Sequence, residues 1–247
     1  MEKEIHVYYH VCLINNGLSI ASEQMYLLYR CGLLDAAKSI NIGVKYDSNL
    51  SSDLCRFLDM IHRYNTKKNI RILYVEENSP SGDHELMTSR YFKSYADSLK
   101  DNEDHYILYF HTKGVSRYGT PLEISAKHWR TFMEYFTINK WKNCYDLLDS
   151  GYESCGTFTY NMSVMDFYLN KDKPTIATPN CVYYPGTFYW IKSSIVKKIS
   201  KNYFTTRNEY RVHAIEALPG LIEHRHFAFK QESRDLYTHI ILPNEYI

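Results

Sequence analysis

A chain of 247 residues with 29 Lys+Arg against 28 Asp+Glu carries a formal net charge of +1, and 45% of its residues are hydrophobic. That composition belongs to a folded globular chain and excludes disorder, collagen-like sequence and a disulfide miniprotein. The charge balance argues against a dedicated nucleic-acid binder, whose footprint is a basic excess.

The first apolar run, Ile5 to Leu13, is rich in β-formers and ends at Asn15-Asn16-Gly17, which predicts a buried strand and a turn. Leu18 to Arg30 has helical apolar spacing, with Ser19 as its expected N-cap and Gly32 as its stop. Ser39 to Val44 is a second strand. Ser52 to Tyr64 follows as a helix burying Leu54, Phe57, Leu58 and Ile61, and Ile70 to Val75 as a third strand. Glu85 to Leu99 is a helix with Leu86, Tyr91, Phe92, Tyr95 and Leu99 inward, and Tyr106 to Phe110 a fourth strand that stops at His111-Thr112-Lys113-Gly114. Strand and helix alternating in this way mark an α/β fold, a mainly parallel sheet flanked by helices. Such sheets bind ligands outside the carboxyl ends of their strands, which directs attention to His10–Asn16 and His111–Gly114.

The second half is expected to hold helices at Ala126–Phe136 and Asn139–Ser150, strands at Ser154–Tyr160 and Tyr183–Ile191, helices at Ser193–Ile199 and Glu209–Leu218, and a strand or two between His226 and Ile241. No linker or repeat divides the chain. The expectation is one domain over 1–247, with 1–114 as a nucleotide-binding half and 115–247 as an acceptor-side half.

The six cysteines, at 12, 31, 55, 144, 155 and 181, have no CxxC spacing, so neither a zinc knuckle nor a redox motif is indicated. Met1-Glu-Lys-Glu is charged and the apolar run after it is broken by His6 and His10, so no signal peptide is expected. No 18-residue apolar stretch predicts a membrane span. The expected setting is cytoplasmic, with reduced, mostly buried thiols. The 24 tyrosines suit stacking on sugars or bases, and equally suit drift in a Tyr-, Asn-, Lys- and Ile-rich proteome.

Specific words then occur in order: Tyr8-Tyr9-His10, Glu85 before a helix, Tyr109-Phe-His-Thr-Lys-Gly114, Trp129-Arg130 with Met133-Glu-Tyr-Phe136, and Tyr184-Pro-Gly-Thr-Phe-Tyr-Trp190. Over residues 5–220 the chain resembles a family of glycosyltransferase-like proteins of the nucleotide-diphospho-sugar transferase (GT-A) type, found in bacterial polysaccharide loci and large DNA viruses. It departs where the family has Asn and this chain Thr187, and in the late helix word, here Arg211-Val-His-Ala-Ile-Glu216.

The resemblance implies transfer of a hexosyl or deoxyhexosyl group from a nucleotide-diphospho-sugar to a hydroxyl of a glycan acceptor. Such enzymes usually hold a divalent metal, Mn or Mg, on an Asp-x-Asp at the fourth strand's end. Here that strand ends in His111-Thr112-Lys113, whose donors can take over part of the metal's electrostatic task. Metal dependence stays open. Lys113 and Arg130 are then the phosphate partners, His10 is split between base contact and core packing, and His111 and Thr112 between donor contact and capping the strand end. Trp129 joins the donor set. Gly114 permits a sharp exit or close backbone approach. Glu85, opening its helix, either caps it or anchors a loop, or touches the donor's ribose or base. Tyr184, Gly186, Thr187, Phe188 and Trp190 are the acceptor-side candidates, although strand alternation commits half of these aromatics to core. Glu216 beside His213 is the candidate general base, which makes inversion the expected outcome. Asp101 to Asp104 is expected to be a solvated loop; Asp166 and Asp172, in the loop after Tyr160, are candidate metal ligands that nothing in their spacing singles out. The competing class is a catalytically inactive sugar- or nucleotide-binding module on the same fold.

Overall fold

The computed structural model describes residues 3–79, 85–161, 182–205 and 215–247. Its first half alternates as β1 (Ile5–Leu13), α1 (Gly17–Arg30), α2 (Leu33–Ala36), β2 (Ser39–Tyr46), α3 (Ser51–Tyr64), β3 (Ile70–Glu77), α4 (Leu86–Ser98) and β4 (Tyr106–His111). Then come α5 (Glu123–Glu134), a π-helical turn (Tyr135–Asn139), α6 (Trp141–Asp149), β5 (Ser154–Gly156), β6 (Tyr160–Asn161), β7 (Val182–Tyr183), β8 (Tyr189–Lys192), α7 (Ser193–Lys198), α8 (Lys201–Thr205) and β9 (His226–Ala228).

Seven strands form one sheet in the order β3-β2-β1-β4-β8-β5-β9, and β6 pairs with β7 beside it. β1 runs parallel to β2 and β4, β2 to β3, and β5 to β9; β8 is antiparallel to its neighbours, β4 and β5, as β6 is to β7. This is a mainly parallel α/β sheet flanked by helices, and it runs unbroken from the first half of the chain into the second.

Both faces of the sheet are covered, which is why β1 is buried along almost its whole length, His6 and His10 included. Val7, Tyr9 and Val11 join a core with Met25, Phe110, Phe132, Phe188 and Trp190, while Tyr8 joins a second core with Phe92, Tyr109, Tyr189 and Ile191. The alternation expected along Phe188, Tyr189 and Trp190 therefore holds. In the π-helical turn the Thr137 carbonyl accepts the indole N–H of buried Trp190 at 2.7 Å, so the wider turn satisfies a polar atom inside the core.

Several local expectations are corrected. α1 starts at Gly17, and its Asn16 cap makes no side-chain bond, so Ser19 lies inside the helix. Leu58 and Tyr91 face outward, at 37% and 38% exposure; α3 instead buries Phe57, Met60 and Ile61, and Tyr91 stacks on Tyr74 at 5.9 Å. The strand expected over Tyr183–Ile191 is split into β7 and β8. Between them Pro185-Gly186 makes a type II turn, with Gly186 at φ +88° and Thr187 N–H donating to the Tyr184 carbonyl at 3.1 Å. The tail holds one strand, β9, and then turns. Of the helix expected over Glu209–Leu218, residues 209–214 lie outside the described part and 215–217 are helical. The solvated loop expected at Asp101 is found, with Asp101 exposed and paired with Lys197.

Candidate functional site

β1 and β4 are neighbours in register, with His10 paired to His111 at their carboxyl ends. Between them opens a cleft of about 470 Å³ lined by His10, Glu85, His111, Thr112, Lys113 and Gly114, together with Cys12, Asn78, Arg117 and Tyr237. Six of the eight donor-side candidates therefore meet in one place. Two larger hollows, of about 580 and 680 Å³, lie beside Trp141 and between α1 and α3, away from these residues.

His111 is the hub. Its Nδ1 faces Glu85 Oε1 at 3.0 Å and its Nε2 faces the Gly186 carbonyl at 3.1 Å. Only an imidazole carrying both N–H groups can donate to both. The second Glu85 oxygen accepts from the Tyr109 hydroxyl at 3.2 Å. Burial raises the Glu85 pKa, but the His111, His10 and Lys113 side chains outweigh it and hold the carboxyl at about 2. Glu85 is thus a fixed anion, and its side chain leaves α4 uncapped to anchor the cleft instead.

His10 is buried, its Nδ1 3.1 Å from both the Tyr74 hydroxyl and Thr88 Oγ1, which lie 2.6 Å from each other. Thr112 Oγ1 accepts the Cys12 N–H at 2.9 Å, tying the ends of β1 and β4 together. Gly114 turns the chain at φ +101°, which leads Lys113 over the indole of Trp129, its ammonium 3.8 Å from the ring centroid. Tyr237 stands edge-on to that indole at 4.9 Å, with Arg117 over its own face at 5.1 Å. Trp129 is buried and its N–H has no hydrogen-bond partner among the described residues, so its face is what it offers: a platform for Lys113.

Arg130 is placed elsewhere. It is buried, 2.5 Å from Glu23 on α1 and 3.3 Å from Glu134 one turn along α5, and it does not line the cleft. Burial raises Glu134 to about 7, with Arg130 and the Gln24 amide opposing; Gln24 donates to Glu134 at 2.7 Å and to the His111 carbonyl at 3.1 Å. Arg130 therefore braces α1 and α5 behind the cleft, where the sequence suggested a phosphate contact.

On the acceptor side, Tyr184, Phe188 and Trp190 are 0–1% exposed and are core, with no ring face open to a sugar. Gly186 and Thr187 form the turn that meets His111. Glu216 accepts the Gly186 N–H at 2.8 Å and lies 3.5 Å from Thr187 Oγ1. Thr187 sits at φ +65°, a strained conformation for a β-branched residue. His213, like Asp166 and Asp172, lies outside the described residues.

A divalent metal of the kind the resemblance implies finds no matching donors in the cleft: its only carboxylate among the described residues is Glu85, both of whose oxygens are engaged. Tyr74, Thr88, Arg117 and Tyr237 escaped the sequence reading. Arg117, three residues past Gly114, carried the one usable signal, a cation following the strand end; Tyr237 comes from a tail whose path nothing in the sequence indicates.

No family model matches the chain, and no curated protein does. Among solved structures it is similar to the 4-diphosphocytidyl-2C-methyl-D-erythritol synthase of Anaerococcus prevotii, at 11% identity and a TM-score of 0.42, over 99% of this chain and 95% of that one.

Proposed function

We propose that the cleft binds the diphosphate of a nucleotide-diphospho-sugar and that the protein transfers the sugar to a hydroxyl acceptor. One observation carries this reading. Lys113 and Arg117 line the cleft with no carboxylate within salt-bridge distance among the described residues, while the cleft's own carboxylate, Glu85, is already met by His111. A concave site whose cations rest on aromatic rings without a paired carboxylate among the described residues, at the carboxyl ends of a parallel sheet, suits a phosphorylated ligand. Trp129 holds the Lys113 ammonium in place, which reduces the ordering cost when an anion arrives.

In this reading Lys113 and Arg117 stabilise the charge that grows on the departing nucleoside diphosphate. His10, clamped by Tyr74 and Thr88, forms the cleft's inner wall on the base side. Glu216, joined to His111 through the two polar groups of Gly186, takes the acceptor's proton. Attack then comes from the face opposite the leaving group and inverts the anomeric carbon.

The test is a calorimetric series of nucleosides, nucleoside diphosphates and nucleotide sugars on wild type and Lys113→Ala, followed by an assay for free nucleoside diphosphate. Lys113→Ala should weaken nucleoside-diphosphate binding about tenfold or more, the worth of one charge-assisted bond, and leave nucleoside binding unchanged. Equal loss for both ligands would assign Lys113 to structure. Saturable binding without release of nucleoside diphosphate would favour the binding-module alternative.

A further inference from the structure

At the opposite, amino edge of the same strands, Glu4, His6 and His105 bring one carboxylate oxygen and two imidazole nitrogens together, outside everything used above. Glu4 precedes β1, His6 is its second residue, and His105 precedes β4, so the parallel β1–β4 pairing itself sets the three side by side. His6 Nε2 and His105 Nδ1 are 3.3 Å apart, and Glu4 Oε2 is 3.4 Å from the first and 3.7 Å from the second.

Those separations decide the chemistry. A triangle with these edges has a point about 2.0 Å from every corner, which is the length of a zinc–nitrogen or zinc–carboxylate bond. Two imidazoles and one carboxylate form a borderline donor set that suits zinc better than calcium or magnesium, which take oxygen donors at other lengths or coordination numbers. The Tyr95 hydroxyl, from α4, is hydrogen-bonded to both nitrogens, 2.7 Å from His6 Nε2 and 2.5 Å from His105 Nδ1, so zinc takes over the lone pairs that this hydroxyl now bridges.

The surroundings hold two of the three ligands, His6 and Glu4, as metal sites require. The far nitrogen of His6 is 2.8 Å from Ser39 Oγ, which accepts the Asn41 amide at 2.8 Å. The other oxygen of Glu4 is held by Lys38 at 3.0 Å. The His6 side chain is buried, those of His105 and Glu4 are 18% and 38% exposed, and Glu4 also borders an open hollow of about 580 Å³, so an ion can enter from solvent.

We propose that Glu4, His6 and His105 form a zinc site that pins the starts of β1 and β4 together, with water completing the coordination. It is a structural site, separate from the cleft and independent of the function proposed for it.

The experiment titrates zinc into the chelator-stripped full-length chain, with melting temperature and the visible spectrum of the cobalt-loaded protein as further readouts. Expected are one zinc per chain, a rise in melting temperature of roughly 5–10 °C at zinc a hundred times its dissociation constant, and an intense four-coordinate cobalt spectrum without thiolate charge-transfer bands. Glu4→Gln and His105→Gln, both at partly exposed positions that leave the fold intact, should each weaken zinc at least tenfold. His6→Ala should abolish binding; because His6 is buried, the two glutamine variants carry the test if it fails to fold. Absence of stoichiometric uptake by wild type would overturn the proposal. So would uptake that survives both glutamine variants, which would move the ion to the thiols.

Discussion

Glu85 shows how one side chain can be read wrongly by position and rightly by partner. It stands where a helix cap is expected, yet its two oxygens go to His111 and Tyr109. Because its pKa in the fold is about 2, below the ordinary value of 4.5, the sign of its pH dependence is fixed. The stabilisation is fully present above pH 4.5, where the carboxylate is ionised in both folded and unfolded chains. It is lost as pH falls from 4.5 towards 2, where the unfolded chain takes up a proton the folded one refuses. Glu85→Gln should therefore cost about 1–3 kcal/mol at pH 7, and the gap to wild type should shrink as the pH falls to 3. Urea unfolding at both pH values measures it; a gap that is the same at pH 3 and 7 would show that shape, rather than charge, is what Glu85 contributes.

At the scale of elements, two backbone positions shape the cleft. Gly43 on β2 lies opposite His10, and a Cβ there would come 2.4 Å from the Tyr74 ring and 2.5 Å from Thr88 Oγ1. The missing side chain is what lets Tyr74 reach across β2 to His10. Gly43→Ala should displace that clamp and destabilise the fold by about 1–3 kcal/mol, the usual cost of overpacking, measured by denaturant midpoint. The Pro185-Gly186-Thr187 turn carries the opposite opportunity. Thr187 bears a β-branched side chain at φ +65°, whereas asparagine adopts this region readily. Thr187→Asn should raise stability by up to about 1 kcal/mol, read as a higher melting temperature. A drop instead would mean that the Thr187 contact with Glu216 outweighs the backbone strain. The same turn explains the main miss in reading elements from sequence. The first four strands and their helices were legible because apolar periodicity and turn residues agree along them. The stretch from Tyr183 to Ile191 looked like one strand because it is dense in aromatic β-formers, and only the Pro-Gly pair signalled the break.

Over the whole molecule, the site was legible where it depends on strand ends and illegible where it depends on the return of the chain. His10 and His111 could be placed together because parallel β1 and β4 must end on the same side. Arg130 could not be told from a phosphate ligand, since its partner Glu23 lies more than a hundred residues earlier; nor could Tyr237 be foreseen beneath Arg117. The link that closes the molecule runs from Glu85 through His111 to the Gly186 carbonyl, and from the Gly186 N–H to Glu216, so the first half of the sheet and the late helix meet at one peptide turn. That arrangement gives Glu216 two separable roles, holding the turn and accepting a proton. Glu216→Gln keeps an oxygen that can accept from Gly186 N–H and removes only the ability to take up a proton at neutral pH. If Glu216 is the base, turnover should fall by roughly 10²–10⁴, while donor affinity by calorimetry and melting temperature stay at wild-type values. If it only holds the turn, all three stay near wild type in Glu216→Gln and fall together in Glu216→Ala, because the Gly186 N–H then loses its acceptor and His111 loses the carbonyl that orients it. The pair of variants separates the two roles without a structure of the complex, and near-normal turnover in Glu216→Gln would pass the base to a carboxylate outside the described residues.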